Sequence, residues 1–201
     1  AVYRNFGTHE TLLGNFVTDV GDFDDHHGIR WFELQKTGAA WSLFQEGTYA
    51  PDSHHRWMGR LAMDGAQNIA IGYSISSATL NAGIRYTGRL QGDPLGTLPQ
   101  PETTLQAGNG VHSGERWGDY SAMSIDPADD CTFWSTTEYA EATGTWATRI
   151  GSVRVDACSA SPGILLSGTN LTQKVCVPGD LTDIELTVTG LNGFSDDVTL
   201  S

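Results

Sequence analysis

Arg56-Trp57 and Arg116-Trp117 stand sixty residues apart, and each pair is followed at the same distance by a related run, Leu61-Ala62-Met63-Asp64 and Ser121-Ala122-Met123. A second echo joins Gly28-Ile29-Arg30-Trp31 to Gly83-Ile84-Arg85-Tyr86. A weaker third copy lies at Thr148-Arg149-Ile150-Gly151, ahead of Ser152-Val-Arg-Val155. Between the echoes, short alternating segments such as Ile69-Ala-Ile-Gly-Tyr-Ser-Ile75 and Ile184-Glu-Leu-Thr-Val-Thr189 are bounded by Gly, Pro, Asp and Asn clusters, with little helical periodicity. The chain is therefore expected to be all-β. Each repeat unit reads as four strands: one after Arg-Trp, a partner after a turn, a third through the Ile-Arg segment, and an outer strand before the next Arg-Trp. Four-stranded units of about 40 to 60 residues match β-propeller blades, which stack around an axis because none buries both faces alone.

Two to three such blades fit before Cys158, whereas closure takes at least about four. Residues 1–158 are expected to form a partial β-propeller, 159–163 a linker of small residues, and 164–201 a β segment with a different rhythm. Both ends read as truncations. The open edges and faces are then expected to be covered by the remaining blades of a parent protein, by a symmetry mate, or by the tail folding back.

Composition narrows the partners. Eleven Lys and Arg against 24 Asp and Glu give a formal charge of −13, which disfavours nucleic acid and anionic lipid. No apolar run reaches the roughly 18 residues of a membrane helix, so no membrane insertion is expected. The three cysteines, Cys131, Cys158 and Cys176, lack C-x-x-C spacing. Cys176 falls in the following segment, so Cys131 and Cys158 are the preferred disulfide, which suits an oxidising, extracellular compartment. The alternative is three buried free thiols. Nucleophile elbow, P-loop, His-Glu-x-x-His helix and dinucleotide fingerprint are all absent.

The run Arg116-Trp-Gly-Asp-Tyr-Ser-Ala-Met-Ser-Ile-Asp-Pro-Ala-Asp-Asp-Cys-Thr-Phe-Trp134, followed by Thr137-Glu-Tyr139, resembles a group of secreted bacterial proteins. These carry a sialidase-like (BNR-type) β-propeller with immunoglobulin-like modules after it. Tyr3-Arg-Asn-Phe-Gly-Thr-His-Glu10, His55-Arg-Trp-Met-Gly59 and Ile84-Arg-Tyr-Thr-Gly-Arg-Leu-Gln-Gly-Asp-Pro-Leu-Gly96 are similar to the same group. The resemblance implies that 164–201 begins an immunoglobulin-like β-sandwich. It also implies an Asp-box-like hairpin from Ser124-Ile-Asp126 to Thr132-Phe-Trp134, although this segment is longer than the Asp-box and lacks its glycine.

Several constellations are candidates for chemistry. Arg56, Trp57, Arg116, Trp117 and Asp119 would line a ligand face if the repeats converge, with guanidinium groups gripping a carboxylate or hydroxyls and indoles stacking on sugar rings. The same Arg-Trp pairs would equally serve to lock neighbouring blades. Asp22, Asp24 and Asp25, next to His26-His27, are oxygen-rich enough to suit calcium as a cofactor, while His26-His27 and His54-His55 suit zinc or copper. A solvated loop is the simpler role for that acidic run. Glu138-Tyr139 invites comparison with the glutamate-activated tyrosine of sialidases, but neighbours on a strand point to opposite faces. Asp126, Asp129 and Asp130 read as turn residues or a calcium clip.

The sequence thus leads to three functional expectations, in order. The first is an extracellular propeller module that binds a glycan or protein ligand through its axial face. The second is a sialidase-like glycoside hydrolase or lyase with part of its site elsewhere. The third is a structural adhesin module.

Overall fold

The computed structural model describes residues 1–21, 25–114, 116–155 and 158, together with the backbone of Gly163–Gly168 and Leu186–Leu191. Every regular element among them is a strand, and all the sheets are antiparallel and open. The first sheet runs β1 (Val2–Asn5), β2 (Glu10–Asp19), β3 (His27–Lys36), β4 (Ser42–Tyr49). The second runs β5 (His55–Met63), β6 (Ile69–Ser77), β7 (Leu80–Arg89), β8 (Thr103–Gln106). The third pairs β9 (Ala122–Ile125), β10 (Thr132–Ala142) and β11 (Thr145–Arg154), with β10 in the middle. A separate two-stranded pair, β12 (Gly163–Gly168) and β13 (Leu186–Leu191), is also antiparallel. Residues 159–162 of the expected linker lie outside the described residues, and Gly163 already begins β12.

The second sheet is sandwiched between the other two, and β6 shows how the sequence arranges this. Its large residues, Ile69, Ile71, Tyr73 and Ile75, alternate with Ala70, Gly72 and Ser74, and all seven are buried. Ile69, Ile71 and Tyr73 join Leu13, Ile29, Trp31, Leu61 and Met63 in the core shared with the first sheet. Ala70 instead packs with Ala62 of β5 and with Phe133 of the third sheet, and a side chain at Gly72 would press on Met123 and Ser135. A large face and a small face on one strand let two sheets approach it from opposite sides.

The Ile-Arg echo falls on the third strand of its unit in each case, β3 and β7, as the repeat predicts. Ile29 and Ile84 both point into the core. Each following arginine reaches an acid on the adjoining segment: Arg30 pairs with Glu46 of β4, and Arg85 with Glu102 just before β8. The weaker third copy departs, because on β11 Ile150 is exposed.

Cys131 and Cys158 are joined, with α-carbons 5.6 Å apart, within the usual span of about 4.4–6.8 Å. Cys176 lies outside the described residues. Close by, Asp130 binds all three sheets together. It accepts a bidentate pair from Arg4 of β1 at 2.7 and 2.6 Å, and its carbonyl accepts the Gly65 amide of the β5–β6 turn at 2.7 Å.

Candidate functional site

Arg56 lies on β5 and its side chain is fully buried. Nε and Nη2 bond Glu102, Nη1 and Nη2 bond Asp52, and Nη1 also reaches the His54 carbonyl, so all five N–H groups have protein acceptors. Tyr49 and Tyr73 flank the guanidinium at 5.4 and 5.9 Å. Tyr73 donates to Glu102 at 2.5 Å and Arg85 adds a bond at 2.7 Å. Burial pushes the Glu102 carboxyl up, but the hydrogen bonds from Arg56, Tyr73 and Arg85 outweigh it and hold it below the usual range. For Asp52, the Arg56 hydrogen bond pulls the pKa down to about 2 against a smaller opposing effect of burial. Arg56 has no donor left for a ligand.

Arg116 is placed quite differently. It precedes β9 in an irregular segment, its side chain is 81% exposed, and it forks onto Asp119. The expected equivalence of Arg56 and Arg116 at the starts of successive strands therefore fails. The cause is local: Gly118 adopts φ 75° and the Ser121 amide bonds back to the Gly118 carbonyl, which turns the chain away before β9 begins at Ala122. The register recovers afterwards, with Ala62 and Ala122 both on strands.

The tryptophans do come together. Trp57 and Trp117 have ring centres 5.3 Å apart; Trp57 donates to Ser76 and Trp117 to Ser74. Trp117 is buried and separates two clefts. One, of about 200 Å³, is lined by Trp57, Ser76, Asn81, Val111 and His112 among others. The other, of about 340 Å³, is lined by Arg116, Trp117, Asp119, Tyr120, Glu138 and Trp146. Tyr120 is 86% and Trp146 57% exposed, so two aromatic faces are open to solvent beside an arginine and two carboxylates.

Of the five residues expected to line a ligand face, Arg116, Trp117 and Asp119 share this second cleft, whereas Trp57 lines the first and Arg56 neither. Tyr120, Glu138 and Trp146 complete it. Tyr120 belongs to the same run as the second Arg-Trp pair, but Trp146 arrives only through the pairing of Ala140 with Trp146 across the β10–β11 hairpin. Glu138 and Tyr139 are consecutive on β10, and only Glu138 lines the cleft.

The acidic candidates divide. Asp22 and Asp24 of the expected calcium loop lie outside the described residues, and Asp25 is exposed. Asp126 and Asp129 are turn residues. Asp126 accepts the Ala128 amide and the Trp134 indole, while Asp129 accepts two backbone amides and the Thr132 hydroxyl. Asp64, not anticipated from sequence, is buried in the β5–β6 turn. Burial raises its pKa, opposed by bonds from Asn68 and Ala66.

The two His-His dipeptides meet at the starts of β3 and β5. His27 and His55 approach with Nδ1 atoms 3.3 Å apart, and the His26 ring stands edge-on to His55 at 5.8 Å. Among the described residues, no three His, Cys, Asp or Glu side chains are already gathered as a metal site. No helix among them is long and apolar enough to cross a membrane. Neither a known protein family nor a curated protein matches the chain.

Proposed function

We propose that this chain is the ligand-binding part of a secreted or cell-surface β-propeller protein, and that its cleft beside the β10–β11 hairpin takes a carbohydrate. One observation carries this reading. Two exposed aromatic faces, Tyr120 and Trp146, stand in the same open cleft as Arg116, Asp119 and Glu138. Sugar rings offer apolar C–H faces to aromatics and hydroxyl pairs to planar carboxylate and guanidinium groups. With Arg116 already paired to Asp119 and Glu138 beside them, the cleft suits a neutral glycan better than an anionic one.

The blade reading is supported by the sequential strand order of the first two sheets and by the way the second sheet stacks between its neighbours. The disulfide fits an oxidising compartment. The immunoglobulin-like reading of 164–201 rests on the sequence resemblance, and the antiparallel β12–β13 pair is compatible with it.

A glycoside hydrolase is the second reading, favoured by the two carboxylates, Asp119 and Glu138, that line one cleft. It ranks lower because the one acid with a raised pKa among the described residues, Asp64, is hydrogen-bonded within a turn and lines neither cleft. A structural adhesin role uses no cleft at all. Screening the chain on a glycan array, together with an assay for released reducing ends, separates the three. Binding without release supports the proposal, release supports the hydrolase, and neither leaves the adhesin role.

A further inference from the structure

We propose that His27 and His55, with His26 beside them, form a binding site for a divalent transition-metal ion that clips the first sheet to the second. The two dipeptides lie 28 residues apart in sequence, and the fold brings both to one edge, at the starts of β3 and β5. Metal–imidazole bonds of about 2.0–2.1 Å place two ligands of a tetrahedral ion about 3.3–3.4 Å apart. The His27 Nδ1 to His55 Nδ1 separation is 3.3 Å, long for a direct N–H···N bond and right for two ligands of one ion.

The surroundings favour the metal-binding form of His55. The His27 backbone N–H donates to the same His55 Nδ1, also at 3.3 Å, so that nitrogen is the unprotonated one, and an incoming ion displaces this long bond from its lone pair. The His26 ring stands edge-on to His55 at 5.8 Å, and its Nε2 makes only a long 3.3 Å contact with the His54 carbonyl. All three rings are half-buried, partly shielded from water yet open to an ion. The nearby cation, Arg56, shares the His54 carbonyl, but its charge is matched by Asp52 and Glu102. Asp19 is committed to the backbone amides of Gly21 and His26. Imidazole ligands select zinc, copper or nickel over calcium or magnesium. Water or a small rotation of His26 completes the coordination.

The test is calorimetric titration of the tag-free 201-residue chain with zinc chloride, repeated with nickel chloride. One ion should bind per chain. His27→Ala and His55→Ala should each weaken binding by at least about tenfold, while His9→Ala should leave it unchanged. Absence of saturable binding, or equal binding by the His55→Ala chain, overturns the proposal. Should either variant fail to fold, the copper(II) complex of the unaltered chain gives the same answer by electron paramagnetic resonance. Nitrogen hyperfine structure from at least two imidazoles is expected, and oxygen-only coordination overturns the site.

Discussion

Met58 and Gly118 occupy matching places in the two Arg-Trp units, both adopt a positive φ, 49° and 75°, and the Met58 side chain lies against Gly118. The neighbouring Trp57 and Trp117 also pack together, their ring planes inclined at 51°. Repeat-equivalent residues thus meet across the interface between the second and third sheets. The positive φ is shared, but only at Gly118 does a turn follow, closed by the Ser121 amide on the Gly118 carbonyl, whereas the chain after Met58 continues as β5.

Gly118→Ala should therefore be costly. A methyl group there must accept a positive φ and would stand 2.9 Å from the Met58 Cγ. A loss of about 1–3 kcal/mol in urea unfolding is expected. Shortening the partner with Met58→Ala in the same chain should recover the steric part of that loss and leave the backbone part.

The Arg56 cluster should dominate sensitivity to acid. Asp52 and Glu102 both have pKa values below those of an unfolded chain, so their contribution is complete above about pH 5. It is lost as pH falls through the folded values, which for Asp52 means towards about 2. Arg56→Met should cost about 3–5 kcal/mol at neutral pH, because it leaves Glu102 without its main partner. The variant should also flatten the acid limb of stability measured against pH.

Arg60 behaves in the opposite sense. Its guanidinium is buried between the second and third sheets, bonded to Ser135 and the Met58 carbonyl, with Nη2 lacking a partner among the described residues. Burial pulls its pKa down to about 10. Arg60→Met removes a charge that no acid among the described residues compensates, so stability should stay level or rise, by up to about 4 kcal/mol. A large loss in thermal unfolding would show that its hydrogen bonds matter more than its desolvation.

Much of the strand plan was legible in the sequence because a period of two and a repeated Ile-Arg segment report directly on burial. Ile29 and Ile84 point inward for the same reason in both sheets. The arginines were harder to read, since Arg56 and Arg116 carry identical Arg-Trp pairs but differ in the residues after the tryptophan. Gly59-Arg60 continues β5, whereas Asp119-Tyr120 sits in a turn. The meeting of Trp146 with Arg116 in one cleft, and of His27 with His55, joins segments about thirty residues apart, which no local pattern encodes.

The disulfide closes a loop between residues 27 apart in sequence, and chain entropy alone makes it worth about 3–4 kcal/mol. Reduction under native conditions, or the double change Cys131→Ala and Cys158→Ala, should lower the unfolding free energy by that amount. The third sheet, which holds Cys131 at the head of the β10 hairpin, should lose hydrogen-exchange protection first.

Titration of the folded chain with a neutral oligosaccharide selected from the array, compared with Trp146→Ala and Tyr120→Ala, tests the proposed cleft most directly. Both changes remove exposed aromatic faces and should leave the circular dichroism spectrum unaltered. Each should weaken binding by at least about tenfold, equivalent to about 1.4 kcal/mol. Binding that is unaffected by either substitution, or the absence of any bound glycan, would contradict the assignment of this cleft.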